Sequence, residues 1–320
     1  MKRVALILAA FVGAGSALGV WVYEGQWGSH GEGPGQFDFA AAVAVAPNGV
    51  VYVADKQNNR IQYFNAVGSF LGMWGTPGSG AGQLRMPHGV AVASDGTVYV
   101  ADTGNCRLQR FTSTGSFLGA WGSAGRGTGE FMYPYGVAVS GAGVVYVTDT
   151  ENYRVQYFTA AGSYLGQWGR RGYNNGEFDW PWGVAVNPAG WVYVVCNRSH
   201  RVQYFSPTGS WLGKFGWHGP LPGEFESPRG VAAAPDATVF VVDSYNYRVQ
   251  YFTAVGSFLG MFGAPGSANG RFQFPSDVAL SPTGARLYVA DEDNHRVQYF
   301  NRNESAVTPA SLGRVKALFR

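Results

Sequence analysis

Six positions spaced 47 residues apart carry different chemistry each time: Ala41, His88, Tyr135, Trp182, Arg229 and Ser276. In four copies the residue stands between a Pro and a Gly, at the start of a short apolar run. Flat aromatics beside a guanidinium suit three ligand classes. Sugars stack on Trp and Tyr. Protein or peptide partners bury Trp, Tyr and Arg as anchors. Single-stranded nucleic acid stacks its bases on aromatics beside a positive groove. His88 adds a general base or a metal ligand. Zinc needs three or four convergent ligands, and this set supplies one. Calcium needs several oxygens, and the set has no carboxylate except the neighbouring Asp277. His200 and His295 occupy a different place in the spacing and are not read as a matching set. The expectation is a recognition site with no metal and no cofactor. Two residues before each position stand Phe39, Met86, Tyr133, Trp180, Ser227 and Phe274, on the same side if the strand extends that far. The Gly-rich stretches before them carry Arg126, Arg170, Arg171 and Tyr173. The expected ligand-binding set is His88, Tyr135, Trp182, Arg229, Trp180, Tyr133, Arg170 and Arg171.

The elements that must position these residues repeat with the same period. An Arg-x-Gln-x-Phe segment begins at Arg60, Arg107, Arg154, Arg201, Arg248 and Arg296, at intervals of 47, 47, 47, 47 and 48. A fixed period of this size marks a repeat architecture. Each unit holds four short β-branched or aromatic runs bounded by Gly, Pro and Asn, which read as strands. No helical period of useful length precedes the C-terminal tail. Aromatics make up 15% of the chain and charged residues 13%, which excludes a disordered polyelectrolyte. Two Cys cannot form a disulfide framework. The formal charge of +3 does not by itself imply nucleic acid. Four antiparallel strands, six times over, predict an all-β six-bladed β-propeller. The sixth unit lacks its fourth strand, and Val20–Gly28 matches the end of one. The N-terminal strand is therefore expected to complete the last blade and remove the open edges of a solenoid.

The string Gly129-Glu-Phe131, Pro134-Tyr-Gly136, Val145-Tyr-Val-Thr-Asp149 and Asn152-Tyr-Arg154 resembles the NHL repeat, and five further copies stand in register across residues 20–301. The resemblance implies a six-bladed propeller whose ring of variable residues surrounds the mouth of the central channel. It does not imply one activity. Proteins with this repeat include RNA-binding tripartite-motif proteins, extracellular sensor domains of bacterial kinases and the peptide-amidating lyase, whose resemblance would imply three His on zinc. Function must come from the site.

Met1-Lys-Arg3 followed by the apolar Val4–Val12 and a small-residue stretch to Gly19 reads as a secretory signal peptide, with an uncleaved anchor as the alternative. Residues 302–320 form a tail with a short basic amphipathic pattern. The recurring Asp and Arg of each unit read as scaffold. Together these features lead to an exported, non-catalytic recognition or scaffold propeller, secreted or in the cell envelope. It would bind a protein, peptide or cell-envelope glycan at the channel mouth. A propeller-type lyase or lactonase is the alternative, and single-stranded RNA binding the second; export makes nucleic acid a poor partner.

Overall fold

The computed structural model describes residues 20–303, so the expected signal peptide and the tail from 304 onward lie outside the described residues. The described chain forms six four-stranded antiparallel sheets. Blade three is representative, with strands Pro134–Val139, Val145–Asp149, Arg154–Phe158 and Tyr164–Trp168 in sequence order from the channel outward. Among the described residues the only helical segments are four single 3-10 turns, for example Thr150–Asn152. Among the described residues no helix is long and apolar enough to cross a membrane.

The ring closes as the sequence pattern requires. Val20–Trp27 pairs antiparallel with Arg296–Asn303, in the register Val20 to Asn303 and Trp27 to Val297. Arg302 and Asn303, read from sequence as the start of the tail, thus extend the last strand. The N-terminal strand completes blade six, whose other strands are Pro275–Leu280 and Arg286–Asp291. The edge that a six-unit stack would expose is thereby paired.

Between blades the Val-Tyr-Val run supplies the contact. Its valines are fully buried, and its tyrosine hydroxyl reaches a turn carbonyl of the next blade: Tyr52 to Ser113, Tyr99 to Ala160, Tyr146 to Pro207 and Tyr193 to Ala254. Blade five has Phe240 instead. Its neighbour is the closure blade, whose two outer strands, Arg296–Asn303 and Val20–Trp27, are not joined by a turn, and Phe240 packs edge-on against Trp21 at 5.2 Å. A hydroxyl there would lose the turn carbonyl that rewards it elsewhere.

Within each blade an Asp–Arg pair ties down the loop that feeds it, with blade four the exception. In blade three Arg154 Nε donates to Asp149 Oδ2 at 2.7 Å, while its Nη2 donates to both the Gly127 and Glu130 carbonyls. Asp149 also accepts the Met132 N–H. Gln156 donates to the Glu130 carbonyl and accepts from the Gly129 N–H. The recurring Asp, Arg and Gln are thus scaffold that holds the mouth loops still.

Candidate functional site

The innermost strands approach one another so closely that glycine is required where they meet. A Cβ at Gly89, Gly136 or Gly183 would strike the carbonyl of Tyr135, Trp182 or Arg229 on the next blade. That approach narrows the channel to a cavity of about 90 Å³. The side chains just before these glycines crowd its mouth. His88 lies against Tyr135, with ring centroids 4.5 Å apart. Tyr135 stacks on Trp182 at 4.4 Å and 16°. Arg229 covers Trp182 at 5.1 Å. These four residues form a continuous arc, and Ala41 and Ser276, both buried, complete the ring.

Above this floor opens a cup of about 370 Å³. Its walls are Phe39, Met86, Tyr133, Tyr245 and Phe274. Met86, Tyr133 and Tyr245 are 43%, 43% and 47% exposed, high for large apolar groups. The residues two before the ring do not continue the strand, as parity would require. Phe39, Met86, Tyr133, Trp180, Ser227 and Phe274 all have positive φ, from 46° to 61°. This left-handed kink lifts most of the large side chains to the rim instead of extending the inner row.

The polar side of the cup comes from the residue at the repeat position that follows the second strand, where Lys56, Thr103 and Glu292 line it. In blades two, three and four that residue staples the next blade. Thr103 and Thr150 donate to the Pro134 and Pro181 carbonyls at 2.6 and 2.7 Å, and Asn197 to Pro228 at 3.0 Å. In blades one and six it is Lys56 and Glu292. Glu292 binds Lys56 Nζ at 2.6 Å through one oxygen and Arg229 at 2.7 Å through the other. Asp293 stands beside them on the lining. The six ring positions hold no carboxylate, but the cup above them gains two, Glu292 and Asp293, from the loop between the second and third strands. Burial, then the positive charges of Lys56 and Arg229, hold His88 well below the ordinary histidine range, so its imidazole is neutral at pH 7. In the channel below, burial raises Asp277 to about 7, although its carboxylate accepts the Val43 N–H.

Of the eight residues expected to bind ligand, five line the cup: His88, Tyr133, Tyr135, Trp182 and Arg229. Trp180 and Arg171 line a separate surface groove with Arg126, Tyr153 and Arg198, where Arg198 covers Trp180 at 3.9 Å. Arg170 faces solvent and pairs with Glu177. Lys56 and Glu292 do not stand out in the sequence, because their position in other blades holds Thr, Asn or Ser and looks like scaffold. The charge change at that one repeat position is the signal that marks them. Cys106 and Cys196 are both free thiols, and burial pushes the Cys196 thiol up.

The NHL repeat matches residues 37–64, 84–111, 131–158, 178–205 and 272–300. The chain belongs to the NHL-repeat family. Blade five falls between the matched segments yet keeps the same strands and the Asp243–Arg248 pair. No curated protein matches the sequence. Among solved structures, the chain is similar to a gluconolactonase from Xanthomonas campestris at 14% identity and TM-score 0.63, over 89% of this chain and 98% of that one. It is also similar to virginiamycin B lyase from Staphylococcus aureus, at 15% identity and TM-score 0.58, over 82% and 95%. Kuenenia stuttgartiensis hydrazine synthase follows at 11% and 0.59, over 87% and 99%. Identities this low show the fold alone.

Proposed function

We propose that this NHL propeller is an exported, non-catalytic recognition module whose mouth cup takes a bulky side chain of a protein or peptide partner. The observation that carries the reading is the exposed apolar rim of Met86, Tyr133 and Tyr245 around a cup of about 370 Å³. Large exposed apolar groups around a concave, partly polar floor are what interface anchors fill. The floor is occupied by its own contacts. Trp182 is already stacked on Tyr135 and covered by Arg229, so the open aromatic surface of the cup is that of Tyr133 and Tyr245 at the rim. Glu292 is held between two cations and His88 is packed against Tyr135 and Trp182, so the polar groups of the floor are engaged with one another. Export rests on the basic and apolar N-terminal segment.

The test is selection from a random peptide library on the purified propeller, with a panel of glycans and lactones alongside. Expected are peptides with a bulky apolar or aromatic residue whose affinity falls at least about tenfold with Tyr133→Ala or Tyr245→Ala, while Arg170→Ala changes nothing. Lactone turnover, or glycan binding without peptide binding, would replace this reading.

A further inference from the structure

Four of the five histidines in the chain gather in two pairs, each with one carboxylate, at equivalent places in the ring. One set is His295, His30 and Asp38, at the junction of blades six and one. The other is His200, His218 and Glu226, at the junction of blades four and five. Within each set the candidate ligand atoms lie within 4.8 Å of one another. The imidazole centroids are 4.5 Å apart in the first and 4.6 Å in the second, with tilts of 63° and 59°. His218 Nε2 lies 2.5 Å from Glu226, and His30 Nε2 lies 3.6 Å from Asp38.

We propose that these two junctions are binding sites for a divalent transition metal of the zinc or nickel kind. Imidazole with one carboxylate is a donor set such ions favour, and three protein ligands leave a position for water. The three residues of a set come from two blades and occupy three separate positions of the 47-residue repeat. Where one His is present, so are the other His and the acid. The remaining four junctions have neither His: their residues are Asn59 and Pro77, Cys106 and Ala124, Tyr153 and Arg171, Tyr247 and Pro265. An acid survives at one of them, Asp179, where it accepts the Tyr173 hydroxyl instead. Independent drift would not bring the two histidines in together twice.

The inner histidines also have a local task. Nδ1 of His200 accepts the Ser227 N–H at 3.0 Å, and Nδ1 of His295 accepts the Phe39 N–H at 3.2 Å. Asn59 does the same for Met86 at 2.9 Å. An asparagine therefore suffices for that bond, and it leaves the second His and the acid unexplained. The bond also keeps Nδ1 unprotonated and 4.0 or 3.9 Å from the carboxylate. An ion entering there exchanges one backbone hydrogen bond for a coordinate bond. Bound, it would fasten one blade to the next, once at the seam where the chain closes the ring.

The experiment is calorimetric titration of the tag-free protein with Zn²⁺ and Ni²⁺, together with thermal melts. The expected stoichiometry is two ions per chain. His218→Ala and His30→Ala should each leave one, and the double variant none. The melting temperature should rise with zinc in the native protein, rise less in each single variant and stay fixed in the double one. Both replaced side chains are largely exposed, at 67% and 69%, so the variants keep the fold and their metal-free melts check it. Absence of binding, or two ions retained in the double variant, would overturn the proposal.

Discussion

Blades three and four share their strand pattern and differ at the centre of the loop tie. Blade three pairs Arg154 with Asp149, which is fully buried. Blade four has Cys196 where the Asp belongs and Ser199 where the Asn belongs. Its Arg201 still donates to the carbonyls of Tyr173, Asn174 and Glu177. Yet Arg201 Nε and Ser199 Oγ, both buried, find no acceptor or donor in the protein. The loop above carries additional bonds instead: Arg170 to Glu177 at 2.9 Å and Tyr173 to Asp179 at 2.9 Å. The difference teaches that the Arg-to-carbonyl clamp shapes the loop, while the Asp neutralises the buried cation and satisfies its last donor.

The largest effect is expected from Asp149→Asn. It keeps the shape but leaves Arg154 without its carboxylate, at a cost of about 3 kcal/mol in a denaturant melt. A loss as small as an ordinary surface change would mean that blade three tolerates what blade four does, and the comparison would fail.

A pH series separates burial from pairing. Burial raises Asp277 to about 7, above its unfolded value of about 3.9. The folded state then holds this proton more tightly. The associated stability is fully present below about pH 4 and is lost as pH rises to about 7. Allowing for its partial exposure, the loss is about 2 kcal/mol. Asp277→Asn should flatten this part of the profile and stabilise the protein at pH 8. An unchanged profile would show that Asp277 is ionised throughout.

The smallest effect runs the other way. Cys196→Asp gives Arg201 Nε the acceptor that five blades already have and should add about 1 kcal/mol. A melt that drops would show that blade four has repacked around the thiol.

Much of this architecture is legible in the sequence because a period of 47 repeats the same local physics six times. The Val-Tyr-Val runs mark the interblade core, and the missing fourth strand after Phe300 points to Val20–Trp27 as its replacement. The ring of His88, Tyr135, Trp182 and Arg229 is legible for the opposite reason: it varies where its flanks do not. What escapes is set by neighbours distant in sequence. Nothing local to Lys56 reveals that Glu292 will meet it across the closure seam. The left-handed kink at Tyr133 and Met86 breaks the parity that alternation assumes. Arg170 reads as a mouth residue because it lies in a mouth loop, but its side chain turns to Glu177.

The central claim, that the cup is where a partner is held, can be tested by methionine-methyl NMR. Met86 stands on the rim, while Met73 and Met261 lie on the outer strands Phe70–Trp74 and Phe258–Phe262. Adding a library-selected peptide should shift the Met86 methyl signal and saturate, leaving Met73 and Met261 in place. Movement of Met73 or Met261 with Met86 unchanged would place recognition on the blade edges and contradict the account.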